Sequence, residues 1–512
     1  LSAVAAVLIG LLAARIAAGG ARTLRRDLFS TVEGFSSAEF DRFSTASLIT
    51  RTTNDVTQVQ TLVVMAIRMV CYAPIIGIGG IIMALGKSVS LSWIIALAVI
   101  VLLCTIMIIF AIAMPKFKIV QKLVDRLNLV TRENLSGMMV VRAFGNQKRQ
   151  EERFEKANRD LTQTNLFINR VIVFMMPFMT FVMNAVTLLI VWFGSKQIEA
   201  SSMQVGDMMA YMQYAMQIIM AFLMIAVMFI MVPRASVAGD RIAEVLETKP
   251  SIRDPESPVS LTAPVRGEVA FHDVSFRYPN AEENVLEHLS FTAKPGETTA
   301  FIGSTGAGKS TLVQLILRFY DVTDGSITLD GVDIRELTQK ELRAQIGFVP
   351  QKGLLFSGDI ASNIRYGNDL ATDEEVRRAA LTAQALEFFD AFPKGMETGI
   401  AQGGTNVSGG QKQRLSIARA LAKKAPVYIF DDSFSALDFK TDAALRRALA
   451  KDTAGAAVLI VAQRVSTIMH AQQIVVLDQG KIMGVGTHKE LLKTCPTYRE
   501  IAESQLSEEE LQ

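Results

Sequence analysis

The residues best suited to chemistry lie in a glycine-rich stretch that begins at Gly303 and ends at Thr311. It fits the pattern G-x-x-x-x-G-K-[ST], in which backbone N–H groups surround a polyphosphate at the start of a helix. Lys309 is expected to reach the outer phosphates, and the Ser310 hydroxyl is expected to bind Mg²⁺. The predicted phosphate loop consists of Gly303, Ser304, Thr305, Gly306, Ala307, Gly308, Lys309, Ser310 and Thr311.

The elements around this stretch support the prediction. Residues 298–302 are typical of a buried strand, and residues 310–317 have the apolar spacing of a helix. A glycine turn without a ligand is the alternative, and the Lys-Ser pair that follows the glycines disfavours it. We therefore predict that the chain binds a nucleoside triphosphate together with Mg²⁺.

A second predicted strand, residues 427–430, is followed by Asp431 and Asp432. A carboxylate delivered beside a phosphate loop suits Mg²⁺, and Asp431 is the predicted ligand. Between the loop and these acids, the stretch from Ser408 to Gln411 is expected to open a helix and to form a second anion site. Two phosphate-binding elements with one phosphate loop indicate that the second serves a nucleotide held by another subunit.

Composition separates a membrane part from a soluble part. The 512-residue chain is 50% hydrophobic, and its mean hydropathy is positive, which is unusual for a wholly soluble protein. The net charge of +2 disfavours a general nucleic-acid binder, and we expect no nucleic-acid partner. Five apolar runs have about the length of a membrane-spanning helix, which excludes soluble proteins that act on ribosomes or DNA. These runs are Leu1–Gly19, Leu62–Leu85, Leu91–Met114, Val171–Phe193 and Met208–Pro233.

The connections between these runs differ in charge. Those at 21–61 and 115–170 are long and rich in Lys and Arg, whereas the others are short. The basic connections are expected on the cytoplasmic side of the bilayer. Residue 1 then lies outside, so we expect a further span before it.

Beyond residue 267 short apolar runs typical of strands alternate with helical patterns. The predicted fold class is therefore an all-α polytopic membrane domain, with its first span missing, fused to an α/β nucleotide-binding domain. The predicted domains are a transmembrane domain over 1–240, a proline-rich linker over 241–266 and a nucleotide-binding domain over 267–512.

The last apolar run contains Met at every fourth position from Met208 to Met228. A fourfold spacing drifts by about 40° per step around a helix, so the stripe cannot face a single cavity. Flexible packing against lipid and neighbouring helices is one interpretation, and a pliable lining for varied apolar substrates is the other. Gln213 and Gln217 are better candidates for a cavity, because polar groups avoid lipid.

On these motifs, the chain resembles the ATP-binding cassette (ABC) exporters over essentially its whole length. The resemblance implies that Tyr278 stacks on adenine, that Gln351 contacts Mg²⁺ and senses the γ-phosphate, and that Asp438 belongs to a loop crossing a dimer interface. It also implies that the nucleotide is ATP and that a complete subunit has six spans. The family signature corresponds to Ser408, Gly409, Gly410 and Gln411, with Val407 where Leu is usual.

Two further departures from the family pattern affect residues that favour hydrolysis. Asp432 stands where a glutamate normally polarises the attacking water, and Gln463 stands where the family has its switch histidine. The shorter Asp withdraws the carboxylate by about 1 Å, and a misplacement of that size can cost on the order of 10²-fold in rate. An amide can donate a hydrogen bond to a γ-phosphate but cannot carry the charge of an imidazolium. Asp432, Gln463 and Gln351 are the predicted catalytic residues, the first two of them degenerate.

The resemblance and these departures together predict the degenerate-site subunit of a bacterial heterodimeric exporter. A homodimer in which both changes are neutral drift is the alternative. The expected location is the plasma membrane, with the nucleotide-binding domain in the cytoplasm. The predicted activity is ATP-driven export of apolar or amphipathic small molecules of the multidrug type. A lipid or lipid-precursor flippase and an ATP-sensing regulator of a partner protein are the alternatives.

Overall fold

The structure of the protein is a computed structural model that describes residues 2–279, 281–386 and 392–507. The chain forms two compact units. The first contains the helix Ser2–Glu33 and residues Ala46–Thr248. The second contains the residues from Lys249 onward together with the short segment Gly34–Thr45.

The described residues of the first unit form long helices joined by short turns. Among the residues that the structure describes, four segments are long and apolar enough to cross a membrane: Val7–Glu33, Thr45–Lys87, Val89–Ile109 and Gln147–Glu199. They correspond to the first four predicted spans, and the fifth predicted span lies within the helix Val205–Glu247. The helices are α1 (Ser2–Glu33), α3 (Thr45–Thr50), α4 (Val56–Lys87), α5 (Ser92–Ser136), α6 (Met138–Ala143), α7 (Gln147–Glu199) and α8 (Val205–Glu247), with a 3₁₀ turn at Val89–Leu91.

The apolar faces of α4, α5, α7 and α8 form the core of this unit. Ile94, Val186 and Tyr211 are among the side chains buried there. Close packing of α4 on α8 requires Gly80, because a Cβ at this position would lie 2.9 Å from Cγ1 of Ile218. The absence of a side chain thus lets the two helices approach closely.

A π-helical turn at Arg51–Asp55 joins α3 to α4. Arg51 donates hydrogen bonds of 2.7 Å to the Glu244 carboxylate and to the carbonyl oxygen of Arg241. Arg241 in turn lies 3.4 Å from the buried Asp55 carboxylate. These contacts attach the start of α4 to the last turns of α8.

The second unit is built on sheets. Its main sheet has the order β12-β11-β3-β10-β9-β6, parallel except for the edge strand β12. An antiparallel sheet has the order β2-β1-β4-β5, and β7 pairs with β8. The strands are β1 (Val269–Phe276), β2 (Leu286–Ala293), β3 (Thr298–Gly303), β4 (Asp324–Leu329), β5 (Val332–Asp333), β6 (Ile346–Val349), β7 (Gly358–Asp359), β8 (Gly399–Ile400), β9 (Val427–Asp431), β10 (Ala457–Val461), β11 (Gln473–Asp478) and β12 (Lys481–Gly486).

Helices cover both faces of the main sheet, and two apolar clusters fill the space between the layers. All five residues of β9 and of β10 are buried, as expected for central parallel strands. The helices of this unit are α2 (Ser37–Phe43), α9 (Lys309–Ile316), α10 (Gln339–Ala344), α11 (Ile360–Arg365), α12 (Asp373–Thr382), α13 (Gly409–Ala422), α14 (Phe439–Asp452), α15 (Val465–Ile468), α16 (His488–Thr494) and α17 (Pro496–Glu503), with 3₁₀ turns at Gly395–Glu397 and Gln402–Gly404.

Candidate nucleotide-binding site

The predicted phosphate loop connects the end of β3 to the start of α9. The strand ends at Gly303 and the helix begins at Lys309, one residue from each predicted boundary. Gly308 adopts a φ of +93°, and a Cβ there would lie 2.4 Å from Leu286. Only glycine meets both conditions, so the turn needs this residue. The backbone N–H groups at the start of α9 are thereby placed where an anion can bind them.

Lys309 folds back over this loop. Its Nζ donates hydrogen bonds of 2.8 Å to the carbonyl oxygen of Gly303 and 2.7 Å to that of Ser304. Burial lowers the pKa of Lys309, and the nearby carboxylates of Asp432 and Asp431 partly oppose that shift. The ammonium group is therefore held inside the loop, close to both acids.

Asp431 ends β9 beside the first turn of α9, as its position in the sequence predicts. The Ser310 hydroxyl donates a hydrogen bond of 3.2 Å to Oδ1 of Asp431. Burial raises the pKa of Asp431, the hydrogen bond from Ser310 lowers it, and the neighbouring Asp432 raises it further. A hydroxyl and a carboxylate oxygen thus converge at one point, and oxygen atoms are the ligands that Mg²⁺ prefers.

The three predicted catalytic residues meet at one oxygen atom. Nε2 of Gln463 donates a hydrogen bond of 2.8 Å to Oδ2 of Asp432, and Nε2 of Gln351 lies 3.3 Å from the same oxygen. Asp432 is buried and has a positive φ of 44°. Its backbone N–H donates to the carbonyl oxygen of Val461, which fixes the residue against β10. Both amide side chains therefore hold the shortened carboxylate in place.

Tyr278 lies beside α9 with its ring partly exposed. Its hydroxyl is 2.8 Å from Oγ1 of Thr311 and 3.4 Å from Oε1 of Gln314. The ring packs edge-on against Phe276 and Tyr320. The predicted adenine-stacking residue is thus attached to the helix that follows the phosphate loop.

Tyr320 is a site residue that the motifs did not reveal. It is largely buried, and its hydroxyl donates a hydrogen bond of 2.8 Å to Oδ2 of Asp41 in α2. Burial and the carboxylate of Asp41 both raise the pKa of this phenol. Tyr320 therefore joins the segment that carries α2 to the aromatic group around Tyr278. Its position in the sequence, shortly after α9, offered only a weak signal.

Glu39 makes a second set of contacts that hold the segment carrying α2. Glu39 accepts hydrogen bonds from the backbone N–H and the hydroxyl of Ser36, at 2.8 and 2.6 Å, and from the N–H of Ser251 at 3.1 Å. Burial alone raises the pKa of Glu39, but the hydrogen bonds from Ser36 and Ser251 outweigh it and the net shift is downward. Glu39 is thus fixed as an ionised anchor at the start of α2.

The signature residues lie apart from the phosphate loop. Ser408 caps α13, where it forms a reciprocal capping box with Gln411. A Cβ at Gly409 would touch nothing within 4 Å. Asp438 caps α14 by accepting from Thr441. Within the described chain the side-chain hydrogen bonds of Ser408, Gln411 and Asp438 stay in their own segments, so they leave the exposed N-terminus of α13 open.

Comparison with known proteins identifies both units. Residues 1–222 match the ABC transporter transmembrane region, and residues 286–435 match the ABC transporter family. An uncharacterized ABC transporter ATP-binding protein of Mycobacterium tuberculosis is 42% identical over 508 residues, which cover 99% of this chain and 86% of the relative.

Two further relatives have functional names. The ATP-dependent lipid A-core flippase of Desulfotalea psychrophila is 34% identical, with 93% of this chain and 83% of the flippase covered. A probable multidrug resistance ABC transporter ATP-binding/permease protein of Bacillus subtilis is 35% identical, with 76% of this chain and 66% of that protein covered.

The structure of a bacterial Atm1-family ABC exporter with ATP bound superposes with a TM-score of 0.81 at 27% identity, covering 96% of this chain and 86% of that exporter. The predicted helical membrane domain fused to an α/β nucleotide-binding domain, the ATPase domain and the multi-pass membrane location are confirmed, whereas the missing first span stays a prediction. The chain belongs to the ABC transporter family and is an exporter chain in which a helical transmembrane region is fused to an ATP-binding ATPase domain.

Proposed function

We propose that this exporter subunit works as one half of a heterodimer and holds the slower of its two ATP sites. The observation that carries the proposal is the hydrogen bond of 2.8 Å between Gln463 and Asp432. A carboxylate that polarises water needs a free lone pair directed at that water. In Asp432 the shorter side chain withdraws the carboxylate from the water, and the Gln463 amide occupies a lone pair of Oδ2. The site keeps its binding elements while the groups that favour hydrolysis are weakened.

The remaining residues of this site are proposed to bind the nucleotide and its metal ion. Lys309 and the backbone of the phosphate loop bind the phosphates, and Tyr278 stacks on adenine. Mg²⁺, when bound with ATP, would neutralise phosphate charge. Its proposed ligands are the oxygens of Ser310, Asp431 and Gln351, and the 3.2 Å approach of Ser310 to Asp431 supports this set. The signature and Asp438 would complete the site on the partner's phosphate loop.

The proposed cargo is apolar or amphipathic. A cavity of about 210 Å³ between α4 and α8 is lined by Tyr72, Gln213, Met216, Gln217 and Met220, among others. The two glutamines and the tyrosine supply hydrogen-bonding groups, whereas the methionines supply an adaptable apolar wall. A site of this composition suits a ligand with an apolar body and a polar group.

Flipping of a lipid is the second candidate function, because one relative is named a lipid A-core flippase and the same cavity composition suits an amphipathic lipid. Transport into inverted vesicles distinguishes the two candidates. Uptake of a fluorescent multidrug substrate supports drug export, whereas movement of a labelled lipid between leaflets supports flipping. A chain that hydrolyses or senses ATP without moving either cargo is a regulator, the third alternative.

The domain boundaries that we propose are 1–240 for the transmembrane domain, 241–266 for the linker and 267–512 for the nucleotide-binding domain.

The heterodimer proposal is tested by purifying the chain alone in nanodiscs. We expect MgATP binding with very slow turnover. Addition of a second exporter subunit that has the usual Glu and His should raise turnover strongly. Fast turnover by this chain alone would refute the proposal.

A further inference from the structure

A groove with a basic end lies between α5 and α7 in the first unit. Its volume is about 580 Å³, and its walls include Ile108 and Ile112 from α5 and Phe174 and Phe178 from α7. Ile108 and Phe174 are 59% and 62% exposed. The groove is separate from the cavity between α4 and α8, because the two share no lining residue.

Two cations mark one end of this groove. Arg170 lines it directly, and the Nζ atom of Lys116 lies 5.4 Å from the ring centroid of Phe167, another lining residue. Arg170 immediately precedes the apolar run that begins at Val171, and Lys116 comes two residues after the run that ends at Met114. Both cations therefore lie where the apolar parts of their helices end, on the side that the basic connections predict to be cytoplasmic.

The charges of these cations are not neutralised within the described residues. Neither Arg170 nor Lys116 forms an ion pair there, whereas cations farther from the apolar runs of the same helices do. Arg126 lies 3.4 Å from Asp160, and Arg153 lies 2.7 Å from Glu133. A basic group at a membrane boundary without a protein carboxylate is suited to a lipid phosphate.

We propose that this groove binds one anionic phospholipid of the cytoplasmic leaflet. An acyl chain lies along Ile108, Ile112 and Phe174, and the phosphate lies between Arg170 and Lys116. The apolar walls alone would accept any lipid, so selectivity comes from the two cations. Each cation near the surface contributes about 1 kcal/mol toward an anionic lipid, which corresponds to roughly five-fold.

The test uses the full chain in nanodiscs that contain phosphatidylcholine and a trace of lipid with a photoreactive acyl chain. Phosphatidylglycerol and phosphatidylcholine forms of the label are compared, and the labelled peptides are mapped by mass spectrometry. We expect the phosphatidylglycerol label to react preferentially with α5 and α7 peptides around the groove, by at least about five-fold. Equal labelling by both lipids would overturn the proposal.

Two variants with the same change of charge sharpen this test. Arg170→Gln with Lys116→Gln should bring phosphatidylglycerol labelling down to the phosphatidylcholine level. Lys148→Gln with Arg149→Gln removes two exposed cations from the start of α7 and should leave the preference intact. Arg170→Lys keeps the positive charge and should retain the preference for phosphatidylglycerol. This result would show that a change of side chain at position 170 does not by itself abolish the preference. An unchanged preference in the first double variant contradicts the proposal.

A photoreactive amino acid at Phe174 checks the occupant directly. Capture of phosphatidylglycerol supports the lipid, whereas capture of another protein chain shows that the groove is a helix-packing surface and overturns the proposal. The lipid test does not rest on the heterodimer proposal, because none of the residues that line the groove belongs to the ATP site.

Discussion

Gln463 donates a hydrogen bond of 2.8 Å to Asp432, and this contact joins the two predicted catalytic residues at which the chain departs from the exporter pattern. The residues are 31 positions apart in sequence, yet they meet at a single carboxylate oxygen. Gln351 approaches the same oxygen at 3.3 Å. The two departures are therefore one structural change, in which a shortened carboxylate is held by an amide that cannot become a cation.

Restoring both residues should speed hydrolysis. In Asp432→Glu with Gln463→His, the carboxylate extends by about 1 Å and the amide is replaced by a group that can be protonated. In the chain purified alone, whose turnover comes from this site, we expect turnover to rise by one to two orders of magnitude, on the order of the 10²-fold cost of such a misplacement. Steady-state phosphate release measures the turnover.

The matched control makes the same chemical changes at exposed positions outside the residues assigned to the ATP site. Asp369→Glu with Gln163→His should leave turnover unchanged. If the restored variant behaves like this control, the interpretation of a degenerate site is wrong.

The signature should matter more to activity than this chain's own phosphate loop. Gly409 is exposed at the N-terminus of α13, and a side chain there meets nothing. In the proposed dimer, Gly409→Asp places a negative charge beside the partner's nucleotide, so we expect nearly complete loss of ATPase activity in the assembled dimer. Lys309→Ala should leave part of the activity.

Stability measurements separate charge from misfolding in this experiment. An acidic residue in the first turn of a helix is favourable, so the melting temperature of Gly409→Asp should not fall. Gly409→Ala, which adds a neutral methyl group, should keep most of the activity. Equal losses in the aspartate and alanine variants would point to backbone conformation rather than charge.

The phosphate loop, Asp431 and the buried strands were predictable because each depends on a short local pattern. The Ser408 and Asp438 caps also follow local rules, since Ser and Asp are favoured at helix N-termini. The contact of Tyr320 with Asp41 was not predictable, because it joins residues 279 positions apart and hydrophobic periodicity carries no information on such pairs. Neither does periodicity reveal that Gly34–Thr45 belongs to the second compact unit.

As the pH rises, ATP affinity should begin to fall at a lower pH than it would if Lys309 had the pKa of an ordinary lysine. Burial lowers the pKa of Lys309 below 10.5 in the free site, so the ammonium form is lost at a lower pH than usual. Only that form attracts the phosphates, and ATP is already fully ionised in this range. We expect the Kd for ATP without Mg²⁺ to begin to increase at a lower pH than it would for a lysine with the ordinary pKa of 10.5. Lys309→Gln should bind weakly with little pH dependence, and a parallel pH dependence in both proteins would assign the effect elsewhere.

Tyr320→Phe should loosen the segment that carries α2 without disturbing the core. The change removes only the hydroxyl that donates to Asp41. Hydrogen bonds to charged groups contribute about 1.5 kcal/mol or more, so residues 34–45 should open about tenfold more often. Hydrogen–deuterium exchange measures this opening directly, and ATP affinity should change little. Tyr366→Phe, at a tyrosine that is 64% exposed, is the control and should exchange like the unmodified protein. Unchanged protection of residues 34–45 in Tyr320→Phe would mean that the Glu39 contacts alone hold the segment.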